Sequence, residues 1–138
     1  MMFKPLHHAI SVADAEASAK WYNEIFGFTT VSDTVAAHLN ARKIMMELDG
    51  FQLEIFQYLG DDAKCVPEDR LNPNDDLKTY GTKHVAYQVE NLRELTAELN
   101  VKGVRIVKGP VPNGNDLLTF ILDNSDVLIE LMEIGGNK

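Results

Sequence analysis

Residues 6–12 alternate: Leu6, His8, Ile10 and Val12 fall on one face, and His7, Ala9 and Ser11 on the other, which predicts a β-strand. Asp14 is then a suitable N-cap for a helix whose apolar stripe is Ala17, Trp21, Tyr22 and Ile25, and Gly27 closes it. Residues 28–31 and 43–48 read as short strands, and residues 32–40 between them show no decisive pattern. Asp49-Gly50 signals a hairpin, after which Phe51, Leu53 and Ile55 share one face and Gln52, Glu54 and Phe56 the other. The first half therefore reads β-α-β-β-β, with the helix on the aliphatic face.

Residues 60–81 carry prolines, glycines and aspartates without sustained periodicity, which predicts a linker. A connection that long is uncommon unless it serves as a lid or lets the halves of two chains exchange. Beyond it the same order returns: a strand at 84–89, a helix at 91–101 striped by Leu92, Leu95 and Leu99, Gly103, and a strand at 104–107. Turn residues fill 110–115, and strands 117–122 and 127–132 form the last hairpin. There Val127, Ile129 and Leu131 face the helix and Leu128, Glu130 and Met132 face away, and residues 135–138 look frayed.

The two halves are copies. Adding 77 carries His7 to His84, Ala9 to Ala86 and Val12 to Val89; further on the offset is 76, carrying Gly27 to Gly103 and Glu54 to Glu130. Fixed-offset similarity marks a repeated unit that cannot bury its apolar face alone.

Length, charge and cysteine content narrow the setting. A chain of 138 residues suits one domain. Its net charge of −8, with no stripe of Lys and Arg, argues against a nucleic-acid partner. Cys65 is the lone cysteine, which fits a reducing compartment, and no apolar run approaches a signal peptide or a membrane span. The expected location is the cytoplasm, with no membrane partner.

The chemistry lies in four residues. His7, Glu54, His84 and Glu130 all sit on the strand face turned away from the aliphatic row, two in each copy. A mid-strand glutamate between Leu53 and Ile55, or between Ile129 and Leu131, costs β-propensity and calls for compensation. Any one of these is explained by a solvent-facing sheet. Four related by the repeat point instead to a joint metal or catalytic site, since imidazole and carboxylate suit a divalent ion. His8 shares the face of Ile10 and Val12 and is expected to pack rather than ligate.

The stretches His7-His8-Ala9-Ile10-Ser11-Val12-Ala13-Asp14, Trp21-Tyr22, Phe26-Gly27-Phe28, Leu53-Glu54-Ile55, Gly81-Thr82-Lys83-His84-Val85-Ala86 and Ile129-Glu130-Leu131 resemble the vicinal oxygen chelate superfamily. That superfamily includes glyoxalase I, methylmalonyl-CoA epimerase, fosfomycin-resistance transferases, extradiol dioxygenases and bleomycin-resistance proteins. The resemblance implies an α+β fold in which two βαβββ modules form one eight-stranded, cup-shaped mixed sheet with helices outside. On this reading residues 1–138 are a single domain, with modules at 3–58 and 82–134 and a linker at 59–81. It implies a homodimer, and one divalent ion per site on His7, Glu54, His84 and Glu130, nickel or zinc before manganese, cobalt or iron. The full His/Glu/His/Glu set is similar to that of bacterial glyoxalase I. The implied activity is a metal-dependent lyase or isomerase that moves a proton next to a carbonyl of a small substrate through a metal-stabilised enolate, Glu54 or Glu130 being the base. An extradiol-type dioxygenase and a metal-free, bleomycin-resistance-like binding protein are the alternatives.

Two positions depart from the glyoxalase I pattern. Arginine four residues after the first ligand and asparagine four after the second, which grip glutathione there, are Ser11 and Tyr58 here. Weak use of a glutathione adduct follows, unless Arg42, Lys43, Lys64 or Arg70 supplies a carboxylate partner.

Overall fold

A computed structural model describes residues 2–138. The chain divides into two compact units, Met1–Lys64 and Cys65–Lys138. Each contains one copy of the repeat.

In the first unit, strand β1 (His7–Ser11) is followed by helix α1 (Ala15–Phe26), strand β2 (Thr29–Ala36), a 3-10 turn (Ala37–Leu39), and strands β3 (Ala41–Leu48) and β4 (Phe51–Tyr58). The sheet order is β1-β4-β3-β2; β1 runs parallel to β4 and the other pairs are antiparallel. Asp14 caps α1 by accepting from the Ala17 amide at 3.1 Å, and Gly27 ends it in the left-handed region at φ 85°. The helix buries Ala15, Ser18, Ala19 and Tyr22; of the expected stripe, Tyr22 is buried, Trp21 and Ile25 are partly buried, and Ala17 is exposed. The small side chains let its backbone approach β3 and β4, so packing distance outweighs residue size in choosing the buried face. Leu53, Ile55, Tyr22 and Phe28 are fully buried, each contributing roughly 1.5–3 kcal/mol.

Residues 32–36 continue β2 along the sheet edge. Val31 and Val35 lie exposed there, which explains why the segment carried no burial pattern.

The second unit begins in the expected linker. Instead of lacking structure, residues 65–81 hold a 3-10 turn (Glu68–Arg70) and a one-turn helix α2 (Pro73–Asp76) capped by Asn72. The cause is a buried carboxylate: Asp76 receives hydrogen bonds from Arg70 at 2.8 Å and Lys83 at 3.2 Å, and Lys83 also donates to the Asp76 and Thr79 carbonyls. Burial opposes ionisation of Asp76, but those two cations outweigh it and hold its carboxyl below the usual value of 3.8.

Then follow β5 (Val85–Gln88), helix α3 (Leu92–Val101), β6 (Arg105–Asn113), β7 (Asp116–Leu122) and β8 (Leu128–Glu133), in the sheet order β5-β8-β7-β6. The α+β class with two βαβββ modules is what the structure shows, its eight strands divided between two four-stranded mixed sheets. Helix α3 buries Leu92, Thr96 and Leu99, and the Thr96 hydroxyl meets that of Thr119 on β7 at 3.0 Å. Thr96 thus takes the place expected for Leu95.

Residues 110–113, expected as a turn, extend β6 through two prolines. An edge strand tolerates the missing amides, and register shifts between Ile106 and Lys108 and between Lys108 and Val111 absorb the rest. The C-terminal residues are tied down, not frayed: the Gly135 amide donates to Asp116 at 2.7 Å and the Asn137 amide to the Asn115 carbonyl at 2.9 Å. Among the described residues no helix is long and apolar enough to cross a membrane.

Candidate metal centre

Register places one histidine beside one glutamate in each unit. In the first, Ala9 on β1 pairs with Glu54 on parallel β4, so His7, two residues earlier, lies on the Glu54 face; His7 Nε2 is 3.5 Å from Glu54 Oε1. In the second, Ala86 on β5 pairs with Glu130 on β8, and His84 Nε2 is 3.7 Å from Glu130 Oε2. The glutamates keep only 14% and 12% of their side-chain surface exposed, and the histidines 31% and 27%. Each pair is half-buried with an opening to solvent, the setting in which an ion can enter and stay partly shielded.

The donor set fits a divalent metal. Both separations exceed a normal hydrogen bond, yet an ion with ligand bonds of about 2.1 Å reaches two atoms up to about 4 Å apart. Among the described residues no third His, Cys, Asp or Glu joins either pair to make a metal-holding group. The four expected residues are therefore found as two equivalent pairs, each within its own unit.

The surroundings of the pairs differ. Lys43 on β3 holds its ammonium 3.9 Å from Glu54 Oε2. In the second unit the ring of Phe120 stands edge-on to His84, with centroids 5.0 Å apart. Phe120 belongs to an apolar cluster with Leu118, Leu122 and Leu128, against which Leu71 packs. The alternation of β7 carried the signal for Phe120, since it shares the face of Glu130 opposite the aliphatic row, but one aromatic among leucines reads as core.

His8 packs on the face away from Glu54. Its ring stacks on Phe51 with centroids 5.6 Å apart, its neighbour Leu53 is core, and burial followed by the nearby His7 pushes its ionisation below the usual 6.5. Of the other expected cations, Arg42 is bound to Asp33 and Glu16, and Arg70 to Asp76 and the Thr82 carbonyl.

Two βαβββ modules, each with a His–Glu pair on the face away from its helix, define the class of protein. The chain belongs to the Glyoxalase/Bleomycin resistance protein/Dioxygenase superfamily, whose model matches residues 4–131. Among solved structures it is similar to a glyoxalase family protein from Enterococcus faecalis, with 25% identity, TM-score 0.77, and 94% of this chain and 97% of that one covered. It is similar in fold to the trypanothione-dependent glyoxalase I of Leishmania major, at 23% identity and TM-score 0.72 over 96% of this chain and 87% of that one. The fosfomycin resistance protein FosX of Listeria monocytogenes shares the fold at 18% identity and TM-score 0.68, with 95% and 93% covered. No curated protein matches the sequence.

Proposed function

We propose that this protein is a metal-dependent lyase or isomerase of the glyoxalase I-like type, catalysing proton transfer next to the carbonyl of a small substrate. The observation that carries this reading is the repeated His–Glu pair, 3.5 Å apart in one module and 3.7 Å in the other. Membership of a superfamily that typically binds a divalent metal supports it. His7, Glu54, His84 and Glu130 are the proposed ligands of one divalent ion per site, with nickel or zinc favoured. When bound, that ion supplies Lewis acidity to the substrate's neighbouring oxygens.

The two imidazoles contribute directional bonds, and the two carboxylates balance a double positive charge. Glu54 or Glu130 then acts as the base: a carboxylate oxygen takes the proton from the carbon next to the carbonyl, the C–H electron pair moves toward the carbonyl oxygen, and the same carboxyl returns the proton. The Phe120 ring beside His84 keeps water from one side of its imidazole. With Ser11 and Tyr58 at the two positions that would grip glutathione, use of a methylglyoxal–glutathione adduct is weak.

We also propose a cytoplasmic homodimer built from modules 3–58 and 82–134; sedimentation at micromolar concentration giving only monomer would contradict the dimer. For the reaction, the test is metal content of protein purified without chelator, followed by aerobic and anaerobic screening of metal-loaded protein against hemithioacetals, acyl-CoA epimers and catechols in deuterated water. Near-stoichiometric metal and solvent deuterium in recovered substrate are expected. Oxygen uptake with a catechol would replace the reading with a ring-cleaving dioxygenase, and metal-free protein that binds small molecules without turnover would replace it with a binding protein.

A further inference from the structure

Beside the glutamate the two copies of the repeat differ in charge. Lys43 pairs across the β3–β4 ladder with Phe56, two residues after Glu54; in the second module the residue pairing with Met132, two after Glu130, is Leu118. Leu118 is buried in the apolar cluster, so the fold itself does not require a cation at this place. Lys43 nevertheless keeps its ammonium 3.9 Å from Glu54 Oε2, with 35% of its side chain exposed.

The other cations considered are committed within their own units. Arg42 alternates to the opposite face of β3 and holds Asp33 through Nε at 3.0 Å and Nη2 at 2.7 Å. Arg70 and Lys83 are bound to Asp76. Of these, Lys43 is the one placed beside a proposed ligand, and among the described residues its charged partner there is that ligand. Once Glu54 gives its charge to an ion, the Lys43 ammonium is left half-buried without a counter-charge. In the proposed site two carboxylates cancel a divalent ion, and Lys43 then leaves a net charge of +1. The complement is an anionic group placed at Lys43 itself, apart from whatever charge the ion's own ligands carry.

We infer that Lys43 is the specificity-determining cation of the proposed site, selecting a carbonyl substrate that carries a separate carboxylate. This rests on the metal-site reading above. The ammonium donates to that carboxylate while the substrate's vicinal oxygens face the ion, and a substrate without the anionic group leaves Lys43 unpaired.

The test uses cobalt-loaded full-length protein and two hydroxamates, each offering two neighbouring oxygens to a metal: succinic acid monohydroxamate, with a distal carboxylate, and butanohydroxamic acid, without one. Calorimetric titration should show the carboxylate-bearing probe binding the wild type at least about tenfold more tightly. Lys43→Met should erase that preference and Lys43→Arg should keep most of it, while cobalt retained after dialysis and the melting temperature stay near wild type in both. Equal affinity for the two probes in metal-loaded wild type, or a preference surviving in Lys43→Met, overturns the role of Lys43 and leaves the metal site standing. Failure of the wild type to retain cobalt overturns the metal site and the role of Lys43 with it.

Discussion

Gln57 and Glu133 hold the same post in the two modules. Each lies three residues beyond its module's glutamate, and each side chain accepts from the first amide of its module's helix: Gln57 Oε1 from Ala15 at 2.8 Å, Glu133 Oε1 from Leu92 at 2.8 Å. Ala15 and Leu92 are fully buried, so water cannot replace the acceptor. The last strand of each module therefore carries, on one face, the glutamate proposed as a metal ligand and, on the other, the residue that fixes the helix start.

Truncating either cap should destabilise the protein, Glu133→Ala more than Gln57→Ala. Helix α1 retains the Asp14 cap, whereas the Asn91 side chain makes no capping bond to α3, and Glu133 also places a carboxylate at a helix N-terminus. About 1–3 kcal/mol is expected for Glu133→Ala. Glu133→Gln, which keeps an acceptor, should lose only a few tenths. Urea unfolding monitored by circular dichroism measures all three.

Asp76 should make the folding of residues 65–81 sensitive to acid. Its carboxyl titrates below 3.8 in the folded protein, so its stabilisation is fully present above the unfolded value and is lost as pH falls through the lowered folded value. Proteolysis within this segment should therefore rise below about pH 4, and Asp76→Asn should show much of that susceptibility already at neutral pH. Asp76→Ala should cost about 3 kcal/mol, because it strands two half-buried cations. Unchanged cleavage of Asp76→Asn at pH 7 would mean that the Arg70–Asp76–Lys83 cluster does not hold this segment.

What the sequence revealed and what it hid divide by the range of the interactions. Strand alternation put His7, Glu54, His84 and Glu130 on the correct faces, because a period of two is a local property of the backbone. Asp14 and Gly27 marked the ends of α1 for the same reason. Asp76, Arg70 and Lys83 gave no pattern, since an ion cluster spanning 70 to 83 has no periodicity to read. The prolines of β6 suggested a turn because only the topology reveals that the strand lies on an edge. Likewise, Ala15, Ser18 and Ala19 are buried because they let α1 come close, a requirement set by the sheet and invisible in a hydropathy stripe.

His7→Ala and His8→Ala should have opposite consequences. His8 stacks on Phe51 and pairs in register with the core residue Leu53, so its loss should lower stability by about 1 kcal/mol and leave metal affinity unchanged. His7→Ala should weaken metal binding by more than about tenfold, since even outer-shell partners of metal ligands carry that much. Metal titration and thermal melts on the two variants separate these effects; the reverse pattern would mean that the metal-facing side of β1 is the one bearing His8.

The two pairs lie in different units, and the additivity of their substitutions decides whether they serve one ion or two. If one ion uses all four residues, His7→Ala and His84→Ala remove ligands from the same ion. Their effects on binding should then be strongly non-additive, the second substitution adding little once the first has released the metal. Two independent His–Glu sites would instead give a stoichiometry near two, with each substitution abolishing one binding event and sparing the other. The one-ion reading further expects metal to stabilise the folded protein by about 4 kcal/mol at a thousandfold excess over the dissociation constant, and each single variant to lose at least about 1.4 kcal/mol of that stabilisation. Competition titration with a chromophoric chelator, paired with metal-dependent melting of both single variants and the double, measures stoichiometry and coupling together; retention of one full equivalent in each single variant would rule out the shared ion.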